Sequence, residues 1–165
     1  MSVVSLVLLA QVVHAGGLSW KAPGGWPADP HGSSMRIASH RIPPAPQDGE
    51  GAELAIFFFG KDQGGTIAAN VGRWLSQFTP EFGAAKPSTQ IEMVNGVRVT
   101  RVSTEGTYAS GMPGGPTTAK QRFGLLGAIA EGPGGNVFFK LTGPRRTVRA
   151  AAPQFDALIH SLSKR

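Results

Sequence analysis

Apolar positions in the middle of the chain recur with two different periods, which predict a strand followed by a helix. Residues 53–59, Glu-Leu-Ala-Ile-Phe-Phe-Phe, form a nearly continuous apolar run, which is typical of a central strand buried on both faces. Farther along, apolar side chains recur every three or four residues, at Ile67, Val71, Trp74, Leu75 and Phe78. This spacing predicts an amphipathic helix from Thr66 to Phe78 that ends before Pro80.

Most of the remaining chain has patterns that favour extended structure. Residues 90–94 and 97–102 flank Asn95-Gly96, a pair that favours a type I′ turn, and therefore predict a β-hairpin. Further strands are predicted at 18–20, 34–42, 123–130 and 137–141. Between the hairpin and the next strand, the Gly- and Pro-rich segment Ser110–Thr118 predicts a mobile surface loop.

A second helical period lies near the C-terminus, between Val148 and Leu162, with Pro153 as a predicted kink or second start. The chain has 165 residues, no internal repeat and no change in composition that would mark a second domain. The order of strands, helix, strands and helix predicts one α+β domain over residues 18–163. We expect a single, largely antiparallel sheet flanked by the internal helix and the C-terminal helix.

The first fifteen residues resemble a secretory signal peptide. An apolar run of eleven residues, Val3 to Val13, precedes Val13-His14-Ala15, a small-residue pattern typical of cleavage after Ala15. The run is too short for a membrane-spanning helix. It predicts export to the periplasm or the cell exterior, although the basic residues that normally precede such a run are missing. The alternative is a buried N-terminal strand or helix.

Composition excludes several kinds of chemistry. The chain has no cysteine, so disulfides, thiolate metal sites and a cysteine nucleophile are excluded. Its net charge of +6 is spread along the chain and indicates a solvated basic surface, so a nucleic acid is not an expected partner. His31 and His40 have no third ligand near them in sequence, and no Gly-x-Ser-x-Gly motif is present. We therefore predict no cofactor, no metal site and no catalytic residue.

Four residues of the predicted internal helix form the best candidate site. Offsets of three and four residues place Asn70, Arg73, Trp74 and Gln77 on part of one helix face. In a functional interpretation, Arg73 and Gln77 present hydrogen bonds to a ligand or a partner. In the structural alternative, the polar members hold the helix against a neighbouring loop, and Trp74 belongs mainly to the core.

The same helix belongs to a wider set of residues that resembles a known family. The set is Trp20, Pro23, Trp26, Met35-Arg36, Phe59-Gly60, Gly64-Gly65, Asn70-Val-Gly-Arg73-Trp74, Gln77-Phe78 and Phe138-Phe139-Lys140-Leu-Thr-Gly143. It resembles uncharacterised bacterial exported proteins of PsbP-like fold over residues 18–162. The resemblance implies an antiparallel sheet flanked by helices, on a superfamily used mostly for docking to proteins or as extrinsic photosystem subunits. It implies no catalytic residue.

Together these observations favour a noncatalytic extracytoplasmic domain that binds or docks an unknown protein or small ligand. The alternative is a hydrolytic enzyme that acts on an envelope or extracellular polymer, with two carboxylates, or a carboxylate and His31 or His40, brought together from separate loops. A third possibility is an assembly partner that recruits another chain through Ser110–Thr118 or a strand edge. The sequence leaves the question of enzymatic activity open and favours its absence.

Overall fold

A computed structural model describes residues 11–29, 35–111 and 115–165. Within these ranges the chain forms strands and helices in the order β1 (Val12–Ala15), β2 (Leu18–Lys21), β3 (Arg36–Ile42), β4 (Ala52–Phe58), α1 (Ile67–Ser76), β5 (Phe78–Thr79), β6 (Ser88–Val94), β7 (Val97–Gly111), β8 (Thr117–Gly132), β9 (Gly135–Pro144), α2 (Arg145–His160) and β10 (Ser163–Lys164). The mixed α+β class with mostly antiparallel pairing is confirmed.

The strands form two sheets, so the expectation of a single sheet is wrong. A seven-stranded sheet has the order β3-β4-β9-β8-β7-β5, with β6 also paired to β7. A separate three-stranded sheet has the order β1-β2-β10. Its third strand pairs Ser163 with Ser19 and Lys164 with Leu18. The sequence did not predict this sheet, because β10 is only two residues long and pairs with a strand near the other end of the chain. A strand this short and a pairing this distant leave no local periodic pattern.

The predicted hairpin at Asn95-Gly96 is confirmed. Strands β6 and β7 pair from Val94↔Val97 outward. Asn95 has φ 48° and Gly96 has φ 78°, the positive values that a type I′ turn needs. The side-chain amide of Asn95 also donates a hydrogen bond to the carbonyl of Leu162, at 2.9 Å. The turn therefore ties the hairpin to the segment that follows α2.

The prediction of a surface loop over Ser110–Thr118 is wrong at both ends of this segment, which belong to strands. Strand β7 continues to Gly111 and β8 begins at Thr117, and these two residues pair directly. Residues 112–114 lie outside the described ranges. Gly111 lets the ladder extend this far, because a Cβ on Gly111 would lie 2.4 Å from the carbonyl oxygen of Pro116. The Gly and Pro residues of this segment favour turns, so its composition did not predict the ends of β7 and β8.

Helix α2 and the three-stranded sheet contribute to a core on one face of the large sheet. Phe155, Leu158 and Ile159 of α2 are buried there with Leu18 and Trp20 of β2. The ring of Trp20 meets that of Phe139 on β9 edge to face, at 5.2 Å between centroids. Pro153 lies inside α2, which is one continuous helix from Arg145 to His160. Helix α2 and the three-stranded sheet therefore cover this face of the large sheet, and the opposite face is left for α1.

Helix α1 lies on the other face of the large sheet and covers only part of it. The predicted helix is confirmed at Ile67–Ser76, with Thr66 capping its start through a 3.1 Å hydrogen bond from the amide of Ala69. A helix is about 10 Å across and covers about two strands spaced roughly 4.8 Å apart. The short α1 therefore leaves a concave surface beside it, over strands β3, β4 and β9.

The predicted signal peptide includes strand β1 of the structure. Strand β1, Val12–Ala15, pairs with β2 through contacts such as Val13↔Trp20 and Ala15↔Leu18. Residues 1–10 lie outside the described ranges. Cleavage after Ala15 would therefore remove one edge of the three-stranded sheet. Neither helix in the described part of the chain is long and apolar enough to cross a membrane.

Candidate functional site

The surface beside α1 is a cleft of about 520 Å³. Its lining includes all four residues of the predicted helix face, Asn70, Arg73, Trp74 and Gln77. The opposite wall is formed by side chains from the large sheet, chiefly Arg36, Glu53, Phe57, Tyr108, Phe138 and Lys140. The structure thus brings the predicted residues to one cavity, together with sheet residues that were not predicted as site residues.

Asn70 organises the start of α1 and one cation of the cleft. Its side chain is buried, at 1% exposure, and its amide nitrogen donates to the carbonyls of Gly64 at 2.8 Å and Thr66 at 2.9 Å. Its amide oxygen accepts a hydrogen bond from Arg73. Asn70 therefore holds the Gly-rich turn before α1 in place and orients the guanidinium of Arg73.

Trp74 forms the deepest contact between α1 and the sheet. Its ring is buried and meets Phe138 edge to face, with 6.4 Å between centroids. Gly127 on β8 makes room for it, since a Cβ there would lie 2.8 Å from the indole Cζ3. Phe59 packs on Phe138 at 5.5 Å and lies parallel to Phe57 at 6.1 Å. These rings give the cleft an aromatic floor.

Gln77 links the end of α1 to Lys140 on β9. The side-chain oxygen of Gln77 accepts a hydrogen bond from the Lys140 ammonium at 2.7 Å, and the Gln77 carbonyl accepts one from the amide of Ala109 at 2.8 Å. The Lys140 ammonium also lies 5.7 Å from the centroid of the Tyr108 ring. Gln77 is therefore both the C-terminal cap of α1 and the residue that positions this lysine.

Burial, followed by the positive charges of Arg73 and Arg36, lowers the pKa of Lys140 to about 8. The carboxylate of Glu53 acts in the opposite direction. Lys140 is not among the site residues predicted from the sequence. The signal that could have found it is a lone lysine within the apolar run of β9, between Phe139 and Leu141.

Arg36 and Glu53 meet across β3 and β4 at the other side of the cleft. A nitrogen of the Arg36 guanidinium lies 3.1 Å from a carboxylate oxygen of Glu53, and the guanidinium lies over the Phe57 ring at 5.4 Å. Tyr108, from β7, completes this wall, and burial raises the pKa of its hydroxyl, with a further contribution from Glu53. Only the tertiary pairing of these strands brings the three residues together.

The cleft has an excess of positive charge. Three cations line it, Arg36, Arg73 and Lys140, against the single carboxylate of Glu53. Arg36 has that carboxylate as an ion-pair partner. Arg73 and Lys140 instead donate to the neutral amide oxygens of Asn70 and Gln77, and within the described part of the chain no carboxylate lies within ion-pair distance of either.

A second groove of about 770 Å³ continues from the cleft. It shares five lining residues with the cleft, Arg36, Glu53, Tyr108, Gly111 and Thr142. Beyond them it runs past Lys120, whose ammonium lies 3.3 Å from a carboxylate oxygen of Glu50. The two cavities therefore form one elongated concavity whose aromatic part lies beside α1.

The histidines and carboxylates of the described ranges show no metal-binding arrangement. No group of three His, Asp or Glu side chains there is placed to hold a metal ion. His40 is buried, and its Nδ1 lies 3.2 Å from the carbonyl oxygen of Trp26. His31 falls outside the described ranges.

Comparison with known proteins places the fold. The chain superimposes on the solution structure of cyanobacterial PsbP, CyanoP, from Synechocystis sp. PCC 6803 with a TM-score of 0.53 and 15% identity, over 100% of this chain and 98% of that chain. The fold is PsbP-like. A second structural match is PA94 from Pseudomonas aeruginosa, a protein of unknown function described as a candidate regulator, with a TM-score of 0.50 and 14% identity over 94% and 97% of the two chains.

No family model and no curated protein sequence matches the chain. At 14% and 15% identity, the two structural matches show the PsbP-like fold and nothing about shared function. The residues of the cleft must therefore supply any functional argument.

Proposed function

We propose that this PsbP-like chain is a noncatalytic binding domain that acts outside the cytoplasm, with the cleft beside α1 as its binding site. The observation that carries the proposal is the convergence of Asn70, Arg73, Trp74 and Gln77 on one cavity with an aromatic floor and oriented polar groups. Binding sites for small molecules commonly have this composition and a volume of roughly 300–1,000 Å³.

The cleft residues are arranged for contact with a ligand as well as for stability. Asn70 and Trp74 are buried and hold α1 on the sheet, whereas Arg73 is exposed and Gln77 half-buried, so their polar groups border the cavity. A purely structural role would not require cations from both α1 and β9 to face the same space. On this proposal, Asn70 and Trp74 have the structural role, and Arg73 and Gln77 are the members that contact a ligand.

The hydrolytic alternative has less support. Glycoside hydrolysis needs a pair of carboxyl groups about the scissile bond. Among the described residues that line the cleft, Glu53 is the only carboxylate, and Arg36 pairs with it. The neighbouring groove adds Glu50, which is paired with Lys120. Each of these two acids is therefore within ion-pair distance of a cation of the protein.

The three tryptophans offer a direct test of the binding site. Trp74 lines the cleft, whereas Trp20 and Trp26 belong to the core on the other face of the sheet. In a two-dimensional ¹H–¹⁵N spectrum, we expect members of a small-molecule fragment library to move the indole signal of Trp74 and leave those of Trp20 and Trp26 in place. The proposal fails if no fragment moves the Trp74 signal at millimolar concentration.

Thr142→Trp supplies the matched blocking variant for this test. Thr142 is half-buried on β9 and lies where the cleft meets the second groove, so a large side chain there extends into the cavity. Fragments that shift Trp74 in the original chain should lose their effect in the folded variant. Persistence of the shifts in the variant would place binding elsewhere.

The extracytoplasmic location is tested separately. The apolar run from Val3 to Val13 motivates it. N-terminal sequencing of the protein recovered from the periplasmic and culture fractions of an expressing cell should show a shortened chain. Recovery only from the cytoplasmic fraction, with Met1 or Ser2 as the first residue, would contradict export.

A further inference from the structure

We propose that the cleft selects organic anions, with an apolar body on the aromatic floor and a carboxylate or similar group between Arg73 and Lys140. The inference rests on the proposed function, since it names the ligand class of the same cleft. It is carried by the charge balance of the cavity and by the way neutral amides orient its two cations.

The charge balance favours an anion. Arg36, Arg73 and Lys140 contribute three positive charges to the lining and Glu53 one negative charge, which leaves an excess of two. Glu53 is engaged by Arg36 at 3.1 Å. Glu53 acts on Lys140 only from beyond ion-pair distance, so within the described ranges a bound anionic group can contact both other cations directly.

Arg73 and Lys140 are oriented without being neutralised. Arg73 donates to the side-chain oxygen of Asn70, and Lys140 donates to that of Gln77 at 2.7 Å. A guanidinium carries five N–H donors and an ammonium three. Each group makes one hydrogen bond to another described residue, so further donors remain for a ligand. Orientation before binding reduces the entropy lost when the complex forms.

The floor adds a requirement for an apolar body. The rings of Phe57, Phe59 and Phe138 line the cleft together with that of Trp74. An inorganic anion would contact the cations and leave these rings uncovered, whereas an aromatic or acyl carboxylate would cover both. The cleft therefore matches an amphipathic anion better than a bare phosphate or sulfate.

The electrostatic environment of Lys140 supports this assignment. With Arg73 facing it from α1, Arg36 from β3, Glu53 from β4 and the Tyr108 ring from β7, its pKa is lowered to about 8 by burial and by the two guanidinium groups. The ammonium is still mainly protonated at pH 7. A bound anion would relieve the repulsion among the three cations and would raise this pKa.

Three isosteric probes test the charge preference at pH 7 by isothermal titration calorimetry: 2-naphthoate, 2-naphthylmethanol and 2-naphthylmethylammonium. They share one aromatic body and differ in charge. We expect 2-naphthoate to bind at least tenfold more tightly than the alcohol, and the ammonium to bind more weakly than the alcohol. The indole signal of Trp74 should move with 2-naphthoate.

The variant Lys140→Met tests whether Lys140 is a cation that binds the carboxylate of 2-naphthoate. It should weaken 2-naphthoate binding at least tenfold while it changes the affinity for 2-naphthylmethanol less than twofold. Lys86→Met removes the same charge from an exposed loop residue and should change both affinities less than twofold. Arg73→Gln is a second variant at an exposed position, so a folded protein remains testable if Lys140→Met does not fold.

The outcomes separate this inference from the proposed function. If the alcohol or the ammonium moves Trp74 and binds as tightly as 2-naphthoate, the cleft binds ligands but the anion preference is wrong. The preference is equally wrong if Lys140→Met and Lys86→Met weaken 2-naphthoate binding to the same extent. If neither these probes nor any library fragment moves Trp74, both proposals fail together.

Discussion

Replacement of Gly127 by alanine should weaken the packing of α1 on the sheet. Gly127 lies on β8 beneath the indole of Trp74, and a Cβ there would lie 2.8 Å from Cζ3 and 3.0 Å from Cε3. Trp74 is 4% exposed and packs on Phe138, so a displacement of the indole would disturb this contact. Either the indole or the backbone of β8 must shift, and overpacking of this kind costs about 1–3 kcal/mol.

Thermal and urea unfolding would measure this cost. For a domain of this size, a loss of about 2 kcal/mol corresponds to a decrease of roughly 4–8 °C in Tm. Gly72→Ala is the matched control, because Gly72 lies on α1, the helix that carries Trp74, and no atom lies within 4 Å of the position a Cβ would take there. Alanine is favoured over glycine in a helix by roughly 0.5–1 kcal/mol, so the control should raise the Tm.

A double-mutant cycle identifies the partner of the new methyl group. Trp74→Phe removes part of the indole that the methyl group would strike, so Gly127→Ala should cost less in that background, by at least about 0.5 kcal/mol. If Gly127→Ala leaves the Tm unchanged or raises it, the close packing of Trp74 on β8 is refuted. Additive effects in the cycle would refute the assigned contact.

Four further predictions concern Asn70, Glu81, Lys140 and strand β1. Asn70→Ala should lower the free energy of unfolding by about 1–3 kcal/mol in urea titrations, because it removes the hydrogen bonds of a buried amide, and a loss below about 0.5 kcal/mol would contradict this role. The pKa of Glu81 is lowered, chiefly by the hydrogen bond from Thr107. The stabilisation that the Glu81 carboxylate contributes is therefore present above the usual glutamate pKa and is lost as the pH falls through the lower folded value. Glu81→Gln should flatten the acid limb of a Tm-against-pH profile. Because the pKa of Lys140 is lowered to about 8, the unfolded chain binds more protons than the folded chain between about pH 8 and the ordinary lysine pKa. The free energy of unfolding should therefore rise with pH in this range, while the affinity for 2-naphthoate falls as Lys140 loses its charge. Lys140→Met should abolish both trends. Deletion of residues through Ala15 should lower the free energy of unfolding by about 1–3 kcal/mol, since it removes β1 from the edge of β2, and an unchanged urea midpoint would show that β1 adds no stability.

Local signals were sufficient for α1 and for the β6–β7 hairpin. The three- and four-residue spacing of apolar side chains marks the helix, and Asn95-Gly96 marks the turn, because each depends on neighbours close in sequence. The three-stranded sheet depends instead on contacts between Leu18–Ser19 and the last residues of the chain. No periodic pattern in a two-residue strand can reveal such a pairing.

The polar helix face was predictable as a group, but its chemistry depends on strand register. Alternation within β9 places Phe138 and Lys140 on the cleft side and Phe139 on the α2 side. Local sequence cannot say which lysine meets Gln77, because β4, β8 and β9 must first align. The observed register sets Lys140 opposite Ala55 on one side and Gly127 on the other.

Small neighbours on both sides of Lys140 explain why a long cation can lie on this face. Ala55 and Gly127 leave room for the lysine stem and for the indole of Trp74 above the sheet. A register shift of one residue would turn Lys140 toward the apolar core that contains Phe155, where its charge would be unpaired. The contacts that hold β9 in register and the contacts that place a cation in the cleft are therefore the same, so anion binding and sheet stability should respond together to changes in this register.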